Sequence, residues 1–123
     1  LWRELGGFDA RYFMYGEETD LCLRARELGY RPMITPDAQI MHLVGASSSQ
    51  ASDKLVRVAR AKASLVRDHW PRWKQPVGLF LLWAWSLIRW WGAELNAVMR
   101  SRTEPRDKWR AIWRRRHDWL KGY

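Results

Sequence analysis

Apolar positions along this 123-residue chain fall into blocks of different period. Residues 1–8 read as a helix end closed by Gly6-Gly7, the pair supplying positive φ. Asp9 to Gly16 is an aromatic loop carrying Tyr12, Phe13 and Tyr15. Leu21, Ala25 and Leu28 then recur at i, i+4, i+7 with Cys22 beside them, while Arg24, Arg26 and Glu27 lie off that stripe. The spacing predicts a helix from about Glu17–Thr19 to Leu28, stopped by Gly29. Tyr30–Thr35, bounded by Pro36, reads as a short strand, and the loosely alternating Ala38–Leu43 as a second. Gly45–Ser52 is a small-residue loop, either a lid over a ligand or a connector.

The period returns to helical from Asp53, the expected N-cap, to about His69, with Leu55, Val58, Ala59, Lys62, Leu65 and Val66 on the stripe. Pro71 and Pro76 interrupt the chain. Val77–Ile88 is an apolar run of twelve residues. As a helix it rises only about 18 Å, well short of a bilayer core, so it predicts an in-plane or re-entrant helix. Pro105 separates a last helix, Arg106–Leu120, with Trp109, Ile112, Trp113 and Leu120 among Arg and Lys.

Charge divides the chain at the same place as the pattern does. Residues 1–50 hold five Arg against seven Asp and Glu, a net −2; residues 51–123 hold 17 Lys and Arg against six Asp and Glu, a net +11. Nine of the ten Trp lie in the basic half. Basic charge beside many Trp suits an anionic membrane surface, and by charge alone also nucleic acid. The length allows one small domain at most, and the opening residues LWRELGGFD read as the middle of a fold. No basic-then-apolar leader opens the chain. The single Cys22 excludes an intrachain disulfide and suits a reducing compartment.

The candidate chemistry gathers at Glu17, Glu18 and Asp20, directly after Gly16. Acids in a first helical turn are favoured by the helix dipole, which alone accounts for many such clusters. A carboxylate at a loop-to-helix junction can also be aimed at a substrate hydroxyl as a general base. His42, near the end of the second expected strand, is either an ordinary partly exposed histidine or a divalent-metal ligand. Gly6-Gly7 is a helix stop or a place where backbone approaches a ligand. On the following helix Lys54, Arg57 and Arg60 form a solvated face or meet lipid phosphates.

At these residues the chain resembles a known family. GGFDARYFMYGEETDLCLR followed by HLVGAS resembles the C-terminal part of the catalytic domain of family 2 glycosyltransferases, in particular their bacterial rhamnosyltransferase-like branch. That branch typically shows GGFDE-x-FF-x-YGED-x-DLCLR and then H-x-x-G-x-S. The likeness covers about residues 1–70. It implies an α/β fold, the C-terminal part of a GT-A nucleotide-sugar transferase domain in residues 1–50, with amphipathic and hydrophobic helices in a membrane-associated tail at 51–123.

It further implies inverting transfer of a sugar from a nucleotide-sugar donor to a hydroxyl of a lipid-linked or polysaccharide acceptor in cell-surface glycan synthesis. The general base falls on Glu18, where Asp is usual, with Glu17 as the fallback. Asp20, Gly6, Gly7 and Asp9 fall on the acceptor or orienting side. His42 matches a histidine that completes a Mg²⁺ or Mn²⁺ site in some members, although no Asp-x-Asp occurs in the chain. The nucleotide-binding strands would lie in an absent N-terminal part, so the 123 residues alone are expected to be inactive.

A lipid-linked acceptor would place the protein peripherally on the cytoplasmic face of the inner membrane, with Trp83, Trp85, Trp90 and Trp91 at the interface and Arg89, Arg100 and Arg102 toward headgroups. The same Trp residues could instead be the core of a helical hairpin. The alternative function is a non-catalytic basic module binding membranes or nucleic acid, with Arg110, Arg114, Arg115 and Arg116 as its phosphate contacts; nucleic acid is not the expected partner.

Overall fold

The structure, a computed structural model, describes residues 1–41, 51–100 and 104–123. Its helices are α1 (Glu17–Glu27), α2 (Ala51–His69), α3 (Gln75–Arg100), α4 (Glu104–Arg114) and α5 (Arg116–Trp119). No strand occurs among the described residues. This overturns the expected α/β, GT-A architecture: what the described residues build is all-helical. Neither Tyr30–Thr35 nor the described part of Ala38–Leu43 forms a ladder, and every residue from Tyr30 to Met41 is exposed. A strand needs a neighbour to take up its N–H and C=O groups. None lies beside this segment among the described residues, and Pro32 and Pro36 each remove a donor from it. His42 and the rest of the Gly45-containing loop up to Gln50 lie outside the described residues, as does Arg102.

Helix α1 ends where the periodicity expects, with Gly29 at φ 86°. Helix α2 begins at Ala51, so Asp53 sits inside its first turn and is not the N-cap. An acid there still complements the helix dipole, and its Oδ1 accepts from Arg115 Nη1 at 2.7 Å. Helix α2 touches each of the other four helices. Its buried positions, Val56, Ala59, Ala61, Ala63, Ser64 and Val66, therefore run round more than one face, while Lys62, expected on the stripe, is exposed.

Helix α3 runs well beyond the twelve-residue apolar run, through Arg89 and Glu94 to Arg100. Both charges have partners on α4: the Arg89 guanidinium lies 5.4 Å from the Trp109 ring centre, and Glu94 Oε1 accepts from Arg110 at 2.6 Å and 2.9 Å. Gln75 closes the corner between α2 and α3, its Nε2 donating to the carbonyls of Arg67 and Trp70. The expected single helix Arg106–Leu120 is two, broken at Arg115 with ψ 17°, and Pro105 lies within the first turn of α4 instead of before it. Proline is tolerated there because a first-turn N–H has no intrahelical acceptor.

The core lies where α2 meets α4 and α5. Val56, Ala59, Ile112 and Trp119 are buried together, with Leu55, Leu82, Trp109 and Leu120 packed around them. The Trp119 indole N–H, which would be costly to bury alone, donates to the Ile112 carbonyl at 3.0 Å. Helix α3 covers this core with one face: Trp90 stacks on Trp113 at 5.5 Å between centroids, and Trp83 tilts onto the same ring. Among the described residues no helix is long and apolar enough to cross a membrane.

Candidate active site

The acidic turn is built by two consecutive left-handed residues. Tyr15 has φ 71° and Gly16 φ 92°, and together they swing the chain from the aromatic loop into α1. A left-handed tyrosine is strained, so its surroundings must hold it there. A Cβ on Gly16 would stand 3.0 Å from the Ala61 Cβ and 3.2 Å from the Tyr12 ring. Glycine at this position thus allows both the turn and the close seating of α1 on α2.

The aromatic loop is fastened to α2 from several sides. Asp9 and Arg11 bracket its start, with Arg11 Nε and Nη2 donating to Asp9 Oδ2 at 2.9 Å and 2.7 Å. The Arg11 hydrogen bonds hold the Asp9 carboxyl below the usual range. Arg11 also reaches Asp68 on α2 at 3.2 Å, and the buried Tyr12 hydroxyl donates to the same carboxylate at 2.9 Å. Burial, reinforced by that hydrogen bond, raises the Tyr12 phenol above its ordinary range. Lys54 and Arg57 lie over the Tyr15 and Phe13 rings at 5.8 Å and 5.3 Å, and Arg60 over Tyr123 at 5.7 Å. Tyr123 itself donates its hydroxyl to the Met14 carbonyl at 2.8 Å, while its backbone N–H donates to Ser64 Oγ. The basic residues of α2 that sequence reading left between solvent and lipid are thus the clamp on this loop.

The three acids of the turn meet three different environments. Asp20 is 2% exposed. Its Oδ2 accepts from Arg24 Nε at 2.8 Å, and its Oδ1 lies 2.9 Å from His69 Nε2 on α2. A carboxylate only accepts, so this histidine nitrogen carries the proton. Arg24 continues the chain of contacts, donating to the Leu5 carbonyl at 2.6 Å and the Gly7 carbonyl at 2.8 Å. Asp20 therefore ties the Gly6-Gly7 turn, α1 and α2 together, with both of its carboxylate oxygens engaged. Both glycines have positive φ, and a Cβ on Gly7 would stand 3.1 Å from the Trp2 indole.

Glu18 is exposed, and among the described residues no ion pair engages it. Glu17 is half-buried, and its Oε2 is enclosed without a hydrogen-bond partner, as is Arg60 Nε. Enclosed polar atoms without partners are uncommon and mark places where a ligand or proton can be held.

Gly6, Gly7, Asp9, Glu17, Glu18 and Asp20 thus share one loop-and-helix unit, but only Glu17 and Glu18 keep carboxylate oxygens unengaged. His69, Asp68 and Tyr123 support the unit and were not legible in advance, since each belongs to it only through packing, whereas Arg24 stands four residues from Asp20 on the same helix. The nearest signal was the titratable pair Asp68-His69 at a helix end. No group of three His, Cys, Asp or Glu side chains able to hold a metal occurs among the described residues. The Mg²⁺ or Mn²⁺ expectation finds no ligand set there.

In the basic half, Trp83 and Trp90 are half-buried against α4, Trp85 and Trp91 are exposed, and Arg89 rests on Trp109. Of the arginines expected to meet phosphates, Arg110 pairs with Glu94, Arg115 with Asp53, and Arg116 covers the Trp113 ring at 4.6 Å.

Comparison with known proteins finds local likeness only. The chain is 44% identical over 39 residues to N-acetylglucosaminyl-diphospho-decaprenol L-rhamnosyltransferase of Mycobacterium tuberculosis, with the same match in two strains. The match covers 32% of this chain and 13% of the length of those relatives. No family model matches the chain, and no solved structure matches it.

Proposed function

We propose that this chain is the acceptor-side part of a glycosyltransferase, moving a sugar from a nucleotide-sugar donor to a hydroxyl of a lipid-linked or polysaccharide glycan. The observation that carries the reading is the 44% identity over 39 residues to a rhamnosyltransferase whose name specifies a diphospho-decaprenol acceptor. The acidic turn supports it chemically. Glu18 is exposed and free of ion pairs among the described residues, so it can accept a proton from an acceptor hydroxyl. That hydroxyl then attacks the anomeric carbon from the face opposite the departing nucleotide diphosphate. Configuration inverts, the new glycosidic bond forms as the sugar–phosphate bond breaks, and the proton rests on Glu18. Asp20, spent on Arg24 and His69, positions the turn and does not take the proton.

A second reading places the base at Glu17, favoured by its enclosed, unpartnered Oε2. Incubating the full-length protein with a panel of nucleotide sugars and a polyprenyl-diphosphate-linked N-acetylglucosamine acceptor tests the proposal. Transfer from one donor, with release of its nucleotide, is expected. Absence of transfer from every donor under conditions where the protein is folded would favour the non-catalytic basic module.

A further inference from the structure

Helix α3 buries one face and leaves the other bare. Phe80, Leu81, Ile88, Trp91, Leu95 and Val98 are all exposed, Ile88 to 68%, Trp91 to 65% and Val98 to 84%. At 100° per residue they lie within an arc of roughly 100°, about 120° with Gly92 counted, and from Val77 to Met99 that arc runs about 34 Å without a charged residue. Scattered exposed apolar residues are ordinary; a continuous face of this length is not, and marks a contact surface. Gly92 lies within it, and a Cβ there would meet nothing within 4 Å.

The rim of this face identifies the partner. Lys62 of α2 lies 5.3 Å from the ring centre of Trp85, and Arg89 stands over Trp109, whose ring meets Trp85 edge-on at 5.0 Å. At the N-terminal end Lys74 lies 4.8 Å from the Trp73 ring centre, and both residues are exposed. The bordering acid, Glu94, is neutralised by Arg110 at 2.6 Å. Of the other acids in this half, Asp53, Asp68 and Asp107 are likewise within ion-pair distance of arginines. The half as a whole carries +11, from 17 Lys and Arg against six Asp and Glu. Two copies joined through this face would bring like-charged rims together, which is unfavourable. An anionic lipid surface instead gains twice: apolar side chains enter the acyl boundary while Trp and basic groups sit at headgroup depth.

We infer that the outward face of α3 docks the protein, lying in the membrane plane, onto an anionic lipid bilayer, with Lys62, Lys74 and Arg89 meeting headgroup phosphates. The docking helix is α3 alone. Trp83 and Trp90 belong to its inner side, and Arg110 of α4 is paired with Glu94. This inference does not rest on the transfer reading: vesicle binding and sugar transfer can each succeed where the other fails.

Flotation of the full chain with phosphatidylcholine vesicles, with and without phosphatidylglycerol, tests it. Binding to the anionic vesicles is expected to exceed binding to the neutral ones by at least about tenfold and to weaken with salt. The double variant Ile88→Glu, Leu95→Glu should lose at least about tenfold in binding. Its thermal melting by circular dichroism should stay unchanged, since both side chains are exposed. Lys62→Gln with Arg89→Gln, a pair outside the apolar arc, should weaken anionic binding and flatten its salt dependence. The inference is overturned if the wild type ignores anionic vesicles, if the charge-inserted variant binds them like wild type, or if the Lys62/Arg89 variant keeps the full salt dependence. It is also overturned if light scattering finds a lipid-free dimer that Ile88→Glu, Leu95→Glu splits while vesicle binding persists; a second copy would then be the occupant.

Discussion

Asp20 and Glu18 stand two positions apart on α1, and their surroundings assign them different work. The Asp20 carboxylate is buried between Arg24 and His69, so removing its charge leaves both partners facing a neutral amide in a low-dielectric site. Asp20→Asn is expected to lower stability by about 2 kcal/mol or more in urea unfolding. Glu18→Gln, at an exposed position, should stay within about 0.5 kcal/mol of wild type. Equal losses for the two would refute the division of roles. Gly16 makes a second residue-scale case. Its φ of 92° and the 3.0 Å approach of Ala61 act together, so Gly16→Ala should destabilise by about 1–2 kcal/mol and displace the acidic turn. A chemical-denaturation midpoint equal to wild type would show that the turn tolerates a side chain.

Among the elements, the helices were legible from their periodicity, and the misreadings came from context that periodicity does not carry. The 3.6-residue pattern located α1 and α2 closely but not their buried faces: on α1 only Ala25 of the expected stripe is buried while Cys22 and Leu28 are exposed, and α2 buries more than one face. The strands at Tyr30–Thr35 and over the described part of Ala38–Leu43 did not form, because a strand-like pattern says which side chains could face a core, not whether a neighbouring strand exists. The helix expected over the twelve-residue run Val77–Ile88 extends past it, and Arg89 and Glu94 are interior to α3, because Trp109 and Arg110 on another helix take up their charges. In the candidate site, Gly16 and the acids were visible in the sequence. Asp20's consumption by His69 was not, because the two are 49 residues apart and meet only when α1 seats on α2. The core makes a prediction at this scale. Ile112 is 1% exposed at the junction of α2, α4 and α5, so Ile112→Ala should cost about 2–5 kcal/mol. Helical signal should then be lost in one cooperative step on heating; separate losses from α2 and α4 would contradict a shared core.

Taken whole, the molecule is a central α2 with an acidic loop and α1 seated on one side and the basic, tryptophan-rich helices on the others. The Tyr12–Asp68 bond is part of that seating, and it carries a pH signature. An unfolded tyrosine loses its proton near about pH 10, whereas folded Tyr12 keeps its proton above that value because it is buried and donates to Asp68. This contribution to stability is therefore whole below about pH 10 and is lost as pH rises further. Thermal melts between about pH 8 and 11 should show wild type falling more steeply than Tyr12→Phe; parallel curves would remove Tyr12 from the account. The central claim concerns the acidic turn as a catalytic base. The most direct measurement is the rate of sugar transfer by the full-length protein, with Glu18→Gln and Glu17→Gln beside wild type at matched folded fractions. Glutamine keeps the shape but accepts no proton. Loss of about 100-fold or more in Glu18→Gln, with donor binding retained and Glu17→Gln less affected, is the predicted result. Wild-type rates in both variants would contradict it.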